Sequence, residues 1–493
     1  MKFSGRLDEN IREIKERFTD CGDIISRCLN VGEKRLFLVY VDSMIDRDLV
    51  EGEFIKNMMY GIEKIPGEDA LSYVKDDCMP TASINVVNTI EEGIGFVLGG
   101  DTLALMDGCD WGLVISSKKL PLRGVQTAET EATLRGPKDS FTESMRINTI
   151  LIRRRIRDTK LKTIQKKVGR RSQTDVTLMY MEDIVRPGIV EQVERRMDSF
   201  EIDGIFDSGS LEQLLEKKWY SPFPQFQSTE RPDKTASALM EGRVAVVVDN
   251  SPMVLLLPTT LNCFFQASDD YYNRWGVVCF VRILRYIAAV LAMVFPALYI
   301  AVACYHPDML PTSLELSFAA SRSGVPFPMP VEVLLMELAF ELLREAGIRL
   351  PGPMGSALGI VGGLIIGQAA VDANIVSPVV VIVVALTALA SFTIPNEGFA
   401  SAFRLVKFYL IFLSTFLGIY GLVLGIITVL IHLASLESFG IPYLMPFAAV
   451  HAEHSVDTQD SIFRKPLFML KKRPIFARAD QRTRYIRKKK GRE

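Results

Sequence analysis

The sequence predicts an α/β cytoplasmic N-terminal region of two subdomains, followed by an all-α polytopic transmembrane domain. Three observations carry that prediction. Charged residues make up 23% of the 493 residues yet nearly vanish from long runs after Gly276. Before that point, short runs with strand and helix spacing alternate, the pattern of a compact α/β or α+β unit. After Ser455 the chain turns basic, with thirteen Lys or Arg against four acids, and basic flanks stay on the cytoplasmic side of a membrane. The net charge of −1 averages these regions, so it says nothing about partners. A chain of this length exceeds one ordinary domain. The expected boundaries are 1–122 and 123–276 for the two subdomains, 277–450 for the transmembrane domain and 451–493 for the tail.

Taken in order, residues 1–30 read as an amphipathic helix, because Ile11, Ile14 and Phe18 fall three and four apart. That stretch is charged and lacks the apolar core of a signal peptide. Lys34–Val41 reads as a strand, Arg47–Ile62 and Ile84–Leu98 as helices, and Thr102–Met106 and Trp111–Ser116 as strands around a DGCD turn. Residues 123–145 are polar and poor in large apolar groups, which suggests a linker. In the second subdomain, Glu143–Arg157, Pro187–Phe200 and Ser210–Lys218 read as helices. Leu161–Val168 and Asp175–Met181 read as a hairpin, and Arg243–Val248 and Val254–Leu257 as strands joined at Asp249-Asn250-Ser251-Pro252.

Arg146–Arg171 holds eleven Lys or Arg and a single acid, Asp158. With no aromatic interleaving and no recognition motif, nucleic acid is the disfavoured reading. A solvated face, or one near an anionic leaflet, accounts for the charge equally well. The seven cysteines form no CxxC pair, as suits reduced thiols facing the cytosol.

From Val277 the apolar runs begin. Val277–Cys304 is long enough to cross a bilayer at ~20 residues, with Arg282 and Arg285 placed to snorkel to the cytoplasmic interface. His306–Pro330 is a Pro-rich connection. Gly355–Val371, Val376–Ile394 and Lys407–His432 supply three more spans. Both ends on the cytoplasmic side demand an even number of crossings, so Val331–Ala346 is expected to be an embedded amphipathic helix rather than a fifth span.

That embedded segment carries the candidate site. Glu332, Glu337, Glu341, Arg344 and Glu345 interrupt an otherwise apolar run. The last four share one stripe of a helix. Ionisable groups at membrane depth are costly and face a partner or water. The stripe therefore reads as an ion-pathway candidate, a ring of carboxylates around a cation path. Two plainer readings stay open: Glu341 and Arg344 pair with each other, or the helix lies on the membrane surface. Gly355, Gly359, Gly363 and Gly367 recur every four residues, spacing that lets helix backbones approach closely in lipid. Asp372 and Asn374 suit a helix-turn cap, and His432 an interfacial position. His451 and His454 beside Glu453 make a weak metal signal without a cysteine partner, so no metal and no cofactor is expected. No Walker A loop, HExxH, GxSxG or dinucleotide fingerprint is present, so nothing supports catalysis.

The run PMPVEVLLMELAFELLREAGIRLPGPMGSALGIVGGLIIGQAAV, followed by SPVVVIVVALTALASFTIP, closely resembles the A-subunit family of bacterial spore germination receptors, the GerA family. RGPKDSFTESMRINTILIRRRIRD, DSGSLEQLLE, SPFPQFQSTERPDKTASALMEGRVAVVVDNSP and FFQASDDYYNR match that family's motifs in its order, so the resemblance covers nearly the whole chain. Within the family the sequence is most similar to the branch of stage V sporulation protein AF. The resemblance implies a multi-pass protein of the spore inner membrane. It implies homo-oligomers, proposed to be pentamers, that conduct monovalent cations during germination alongside other spore membrane proteins. Germinant receptors of the family work with a transporter-like B subunit and a lipoprotein C subunit, whereas the AF branch is thought to amplify ion release with a different small partner. The competing functions are a proton-coupled secondary transporter, with Glu337 or Glu341 as relay, and a membrane-anchored signalling scaffold.

Overall fold

The computed structural model describes residues 1–31, 34–42, 44–56, 83–119, 128, 131, 133–349, 353–448 and 458–486. Two compact units share the chain. The first takes Met1–Lys217, Phe226–Pro258 and Leu470–Glu493, and the second takes Lys218–Gln225 and Thr259–Met469.

The first unit is built on two antiparallel sheets. Strands β1 (Ile24–Val31), β2 (Lys34–Val41), β3 (Ile84–Val87), β4 (Thr102–Met106) and β5 (Gly112–Ile115) pair in the order β1-β2-β4-β5-β3. Period-2 alternation decides the layers. Phe37, Val39 and Val41 of β2 face a core with Leu7 and Ile14 of α1 (Leu7–Arg17) and with Ile94 and Val97 of α2 (Ile90–Leu98). Leu36 and Leu38 face the other side, against Phe54 of a π-helical turn, Asp48–Ile55. The second sheet, from β6 (Leu161–Val168), β7 (Thr174–Met181), β8 (Gln227–Thr229), β9 (Val244–Val248) and β10 (Val254–Leu257), pairs as β6-β7-β9-β10-β8. Position for position this is the order of the first sheet. In each sheet the last hairpin follows a helix, α2 in the first and α6 (Pro232–Met240) in the second. Each of those hairpins turns through a left-handed residue after an aspartate, Gly108 at φ +86° and Asn250 at φ +65°. The region thus repeats one topology twice.

A buried pair ties the repeats together. Arg153, at the end of α3 (Met145–Arg153), is 0% exposed and holds both carboxylate oxygens of Asp23 at 2.8 and 2.9 Å. The Thr163 hydroxyl donates to the same carboxylate at 2.7 Å.

Two expected helices resolve differently. Residues 24–31, expected to end the first helix, form an edge strand paired with β2. Residues 84–98 split into β3 and α2, because the Thr89 hydroxyl accepts from the Glu92 N–H and starts the helix there. Beyond Lys56, the expected helix Arg47–Ile62 lies outside the described residues, as do residues 123–127, 129, 130 and 132 of the expected linker.

The second unit is helical: α7 (Trp275–Tyr305), α8 (Thr312–Ser321), α9 (Met329–Arg349), α10 (Pro353–Asp372), α11 (Pro378–Ser391) and α12 (Glu397–Ser435), numbered from the first long helix. Helix α4 (Ile189–Met197) and α5 (Ser208–Leu215) belong to the first unit. Among the described residues, α7 and α12 are long and apolar enough to cross a bilayer. Three expectations change here. The connection His306–Pro330 contains a helix. The charged segment is a 21-residue helix rather than a 16-residue one. Pro330 sits in its first turn, where a missing N–H costs nothing, and Gly347 is helical. The expected single span Lys407–His432 is broken at Gly418, whose φ of 56° and ψ of −135° are non-helical. The chain folds back there. Tyr409 and Thr428, ~28 Å apart on a straight helix, share a hydrogen bond of 2.9 Å. The missing Cβ of Gly425 leaves room for Leu410 and Leu413, and Gly421 lies on the Leu413 backbone.

Candidate functional site

The charged residues of α9 meet a complementary set on the first arm of α12. The two run antiparallel, and the charges oppose in sign at each level. The Lys407 ammonium lies 2.5 Å from Glu337 Oε2. Arg404 Nε lies 3.3 Å from Glu341 Oε1, and Arg344 Nη2 donates to Glu397 Oε1 at 2.7 Å. Arg404 also reaches Glu397 at 3.3 Å. Toward the start of α9, Glu332 is fully buried. It receives Arg322 at 3.2 Å and the Ser377 backbone N–H at 2.8 Å, beside the N-terminus of α11, where the helix dipole favours a carboxylate.

Glu337 and Lys407 form the deepest pair, at 2% and 6% exposed. Glu337 Oε1 has no hydrogen-bond partner, and the ammonium stands 5.1 Å over the Phe408 ring. A buried charge is tolerated only when paired, and here each side chain is the other's direct opposite-charge partner. Glu345 is exposed on the same helix.

Of the plainer readings, the pairing of Glu341 with Arg344 is not the one the side chains adopt. Each turns to an opposite charge on α12 instead. Sequence reasoning missed Lys407, Arg404, Glu397 and Arg322. The signal was legible: Glu397, Arg404 and Lys407 fall seven and three apart at the start of an apolar run, one face of a helix, and mirror the order Glu337, Glu341, Arg344.

Gly363 and Gly367 of the glycine row, with Gly362 beside them, pack against helices of the same chain. A Cβ at Gly363 would stand 3.5 Å from the Phe340 ring, one at Gly362 3.0 Å from Leu343, and one at Gly367 3.2 Å from Val381. These glycines thus let α10 sit closely on α9 and α11. Gly355 and Gly359 belong to the first half of α10. Asn374 adopts φ +53° in the turn after α10, and Asp372 accepts from Gln368 at 3.1 Å. His432 shares a 2.9 Å hydrogen bond with Ser221. Arg282 and Arg285 do not extend toward a surface: both reach Asp270, at 2.8 and 2.9 Å, and Arg282 also reaches Asp460 at 2.7 Å. His451, Glu453 and His454 lie outside the described residues. Among the described residues no group of three or more His, Cys, Asp or Glu could hold a metal ion.

Comparison with known proteins gives the family. Residues 12–476 match the model of the Bacillus/Clostridium GerA spore germination protein. Spore germination protein KA of Bacillus subtilis (strain 168) is 39% identical over 475 residues, 96% of this chain and 87% of that one. Spore germination protein GerLA of Bacillus cereus is 37% identical over 486 residues, 98% of each chain. Among solved structures, the N-terminal domain of the A subunit of the Bacillus megaterium spore germinant receptor GerK3 is 28% identical. It matches with a TM-score of 0.43 over 52% of this chain and 96% of that one.

Proposed function

This chain belongs to the GerA family of spore germination proteins, and from that premise we propose that it is a multi-pass membrane subunit that conducts monovalent cations during germination. It works as a homo-oligomer beside other spore membrane proteins, in the branch resembling stage V sporulation protein AF. The observation that carries the reading is the Glu337–Lys407 pair, buried between two helices of an apolar unit. Ionisable groups at membrane depth are retained for ion or proton paths. Four carboxylates (Glu332, Glu337, Glu341, Glu397) meet four cations (Arg322, Arg344, Arg404, Lys407). The seam is therefore neutral and shut. Conduction requires α9 to part from the first arm of α12, which uncovers the carboxylates to cations.

A second reading has its own support. Broken helices at membrane depth mark many secondary transporters, and α12 is broken at Gly418. A scaffold that is merely anchored has no use for the buried pair. Flux through the purified protein in liposomes separates the three. Fast, non-saturating cation flux supports the channel, saturable flux tied to a proton gradient supports the transporter, and no flux under any condition overturns both.

A further inference from the structure

The two repeats of the first unit share more than strand order. In the first, the chain leaves β5 and runs directly into Ser117–Lys119. Lys118 bridges Ile45, and the Lys119 N–H donates to the Met44 carbonyl at 2.9 Å. Gly100, at φ +96°, lies against Lys118, and the buried Asp101 holds the Lys118 ammonium at 2.9 Å.

In the second repeat the chain leaves β10 and passes into the other unit, and the corresponding places are filled by the C-terminal segment. Ala477 bridges Val185, and the Arg478 N–H donates to the Ile184 carbonyl at 2.9 Å. Gly242, at φ +93°, lies against Phe476 and Ala477, and the Arg243 guanidinium stands 5.4 Å over the Phe476 ring. Thus Met44, Ile45, Gly100 and Asp101 correspond to Ile184, Val185, Gly242 and Arg243, while the strand they hold comes from the other end of the chain. The fit is close: a Cβ at Gly242 would stand 2.8 Å from the Phe476 carbonyl, and Ile475, Phe476 and Ala477 are buried. Arg473 Nε donates to the Met240 carbonyl at 2.8 Å, and Arg484 pairs with Glu241 at 3.5 Å.

We propose that the groove at Ile184–Val185 and Gly242–Arg243 is a peptide-binding site. Its ligand is the chain's own segment 470–486, a basic strand presenting Phe476 and Ala477. In the first repeat the strand is covalently continuous with β5 and cannot leave. In the second it is continuous with the helical unit, so it is a strap that docks and exchanges, and a pull on the end of the helical unit reaches the second sheet alone. The inference stands independently of what the seam conducts.

The test uses the full-length protein in detergent, with a specific protease site inserted within the exposed stretch Leu467–Met469. After cutting, the tail stays bound until a labelled synthetic peptide of residues 470–486 displaces it. A peptide carrying Phe476→Ala competes at least tenfold more weakly, since it loses a buried aromatic and a cation–π contact. Washing out the tail removes hydrogen-exchange protection from Val244–Val248, added peptide restores it, and Thr102–Met106 is unchanged throughout. In the uncut chain, Gly242→Val exposes the tail to proteolysis; should that variant fail to fold, the cut wild-type chain still decides. Equal protection of Val244–Val248 with and without the tail overturns the proposal. So does a tail that leaves and cannot be replaced, or a Phe476→Ala peptide that competes as well as the parent.

Discussion

Lys407 and Glu337 pair in an apolar interior, and the consequence of that pairing is asymmetric. Removing one strands the other, at a cost of about 3–5 kcal/mol, whereas replacing both with apolar or neutral groups is often close to neutral. Lys407→Met should therefore lower the thermal stability of the detergent-solubilised protein sharply, and Glu337→Gln combined with Lys407→Met should recover most of it. Additive losses in the double variant would mean that the pair is not a unit. In the first unit, Glu212 on α5 gives a pH dependence. Burial, with the neighbouring charges of Glu216 and Asp207, pushes its carboxyl up to about 8 from 4.5. The raised value means that the folded state favours the neutral acid. That contribution is fully present below pH 4.5 and is lost as pH rises through 8. The melting midpoint of the wild type should fall across that range, and Glu212→Gln should remove the fall. An unchanged slope in the variant would place the dependence elsewhere.

Gly418 shows what was legible at the scale of elements and what was not. The apolar run Lys407–His432 was plain in the sequence, but its fold-back was hidden, because hydropathy does not register one glycine in a left-handed conformation. The strand Ile84–Val87 was hidden for a related reason: its apolar residues continue smoothly into a helix, and only the Thr89 cap separates them. The acidic face of α9 was read from spacing, yet its partners lay across the fold, where periodicity along one segment cannot reach. An L-residue at Gly418 meets both an unfavourable backbone and the Tyr305 ring, 2.9 Å from its Cβ. Cysteines at Tyr409 and Thr428 should be joined by a short bifunctional thiol reagent that spans the length of the tyrosine side chain in the parent chain, and Gly418→Val should cut the yield about tenfold. Crosslinking at the parent rate would show that the hairpin does not depend on this glycine.

At the scale of the whole molecule the repeat was legible in principle. FLVYVDSMID and VTLMYMEDIV begin in the second strand of each first hairpin and run on past it, and DTLALMDGCDWGLVI and RVAVVVDNSPMVLLL supply the last hairpin of each sheet. The expected membrane topology turns on parity. Basic flanks predict both ends on the cytoplasmic side and hence an even number of crossings. Four spans with α9 merely embedded satisfy that count. So do six segments, in which α9 crosses and α12 contributes two antiparallel arms. Packing within the helical unit favours six. Phe399 at the start of α12 stacks on Phe264 at 5.0 Å, ahead of α7 in the chain, so the six-segment model puts Asn396 at the same end as the start of α7, expected to be cytoplasmic. Glu332 joins Arg322 to Ser377 at the other end of α11, and Tyr299 near the end of α7 meets Phe318 there at 6.2 Å, so the same model puts Asn374 at the opposite, external end. The two models disagree at these positions. With four spans Asn374 is cytoplasmic and Asn396 external; with six the assignments reverse. In a chain freed of its native cysteines, a membrane-impermeant thiol reagent applied to intact cells should label Asn374→Cys and spare both Asn396→Cys and a cysteine placed at Ser461. Labelling at Asn396→Cys with protection at Asn374→Cys would restore the four-span count, and labelling at Ser461→Cys would remove the even-crossing premise itself.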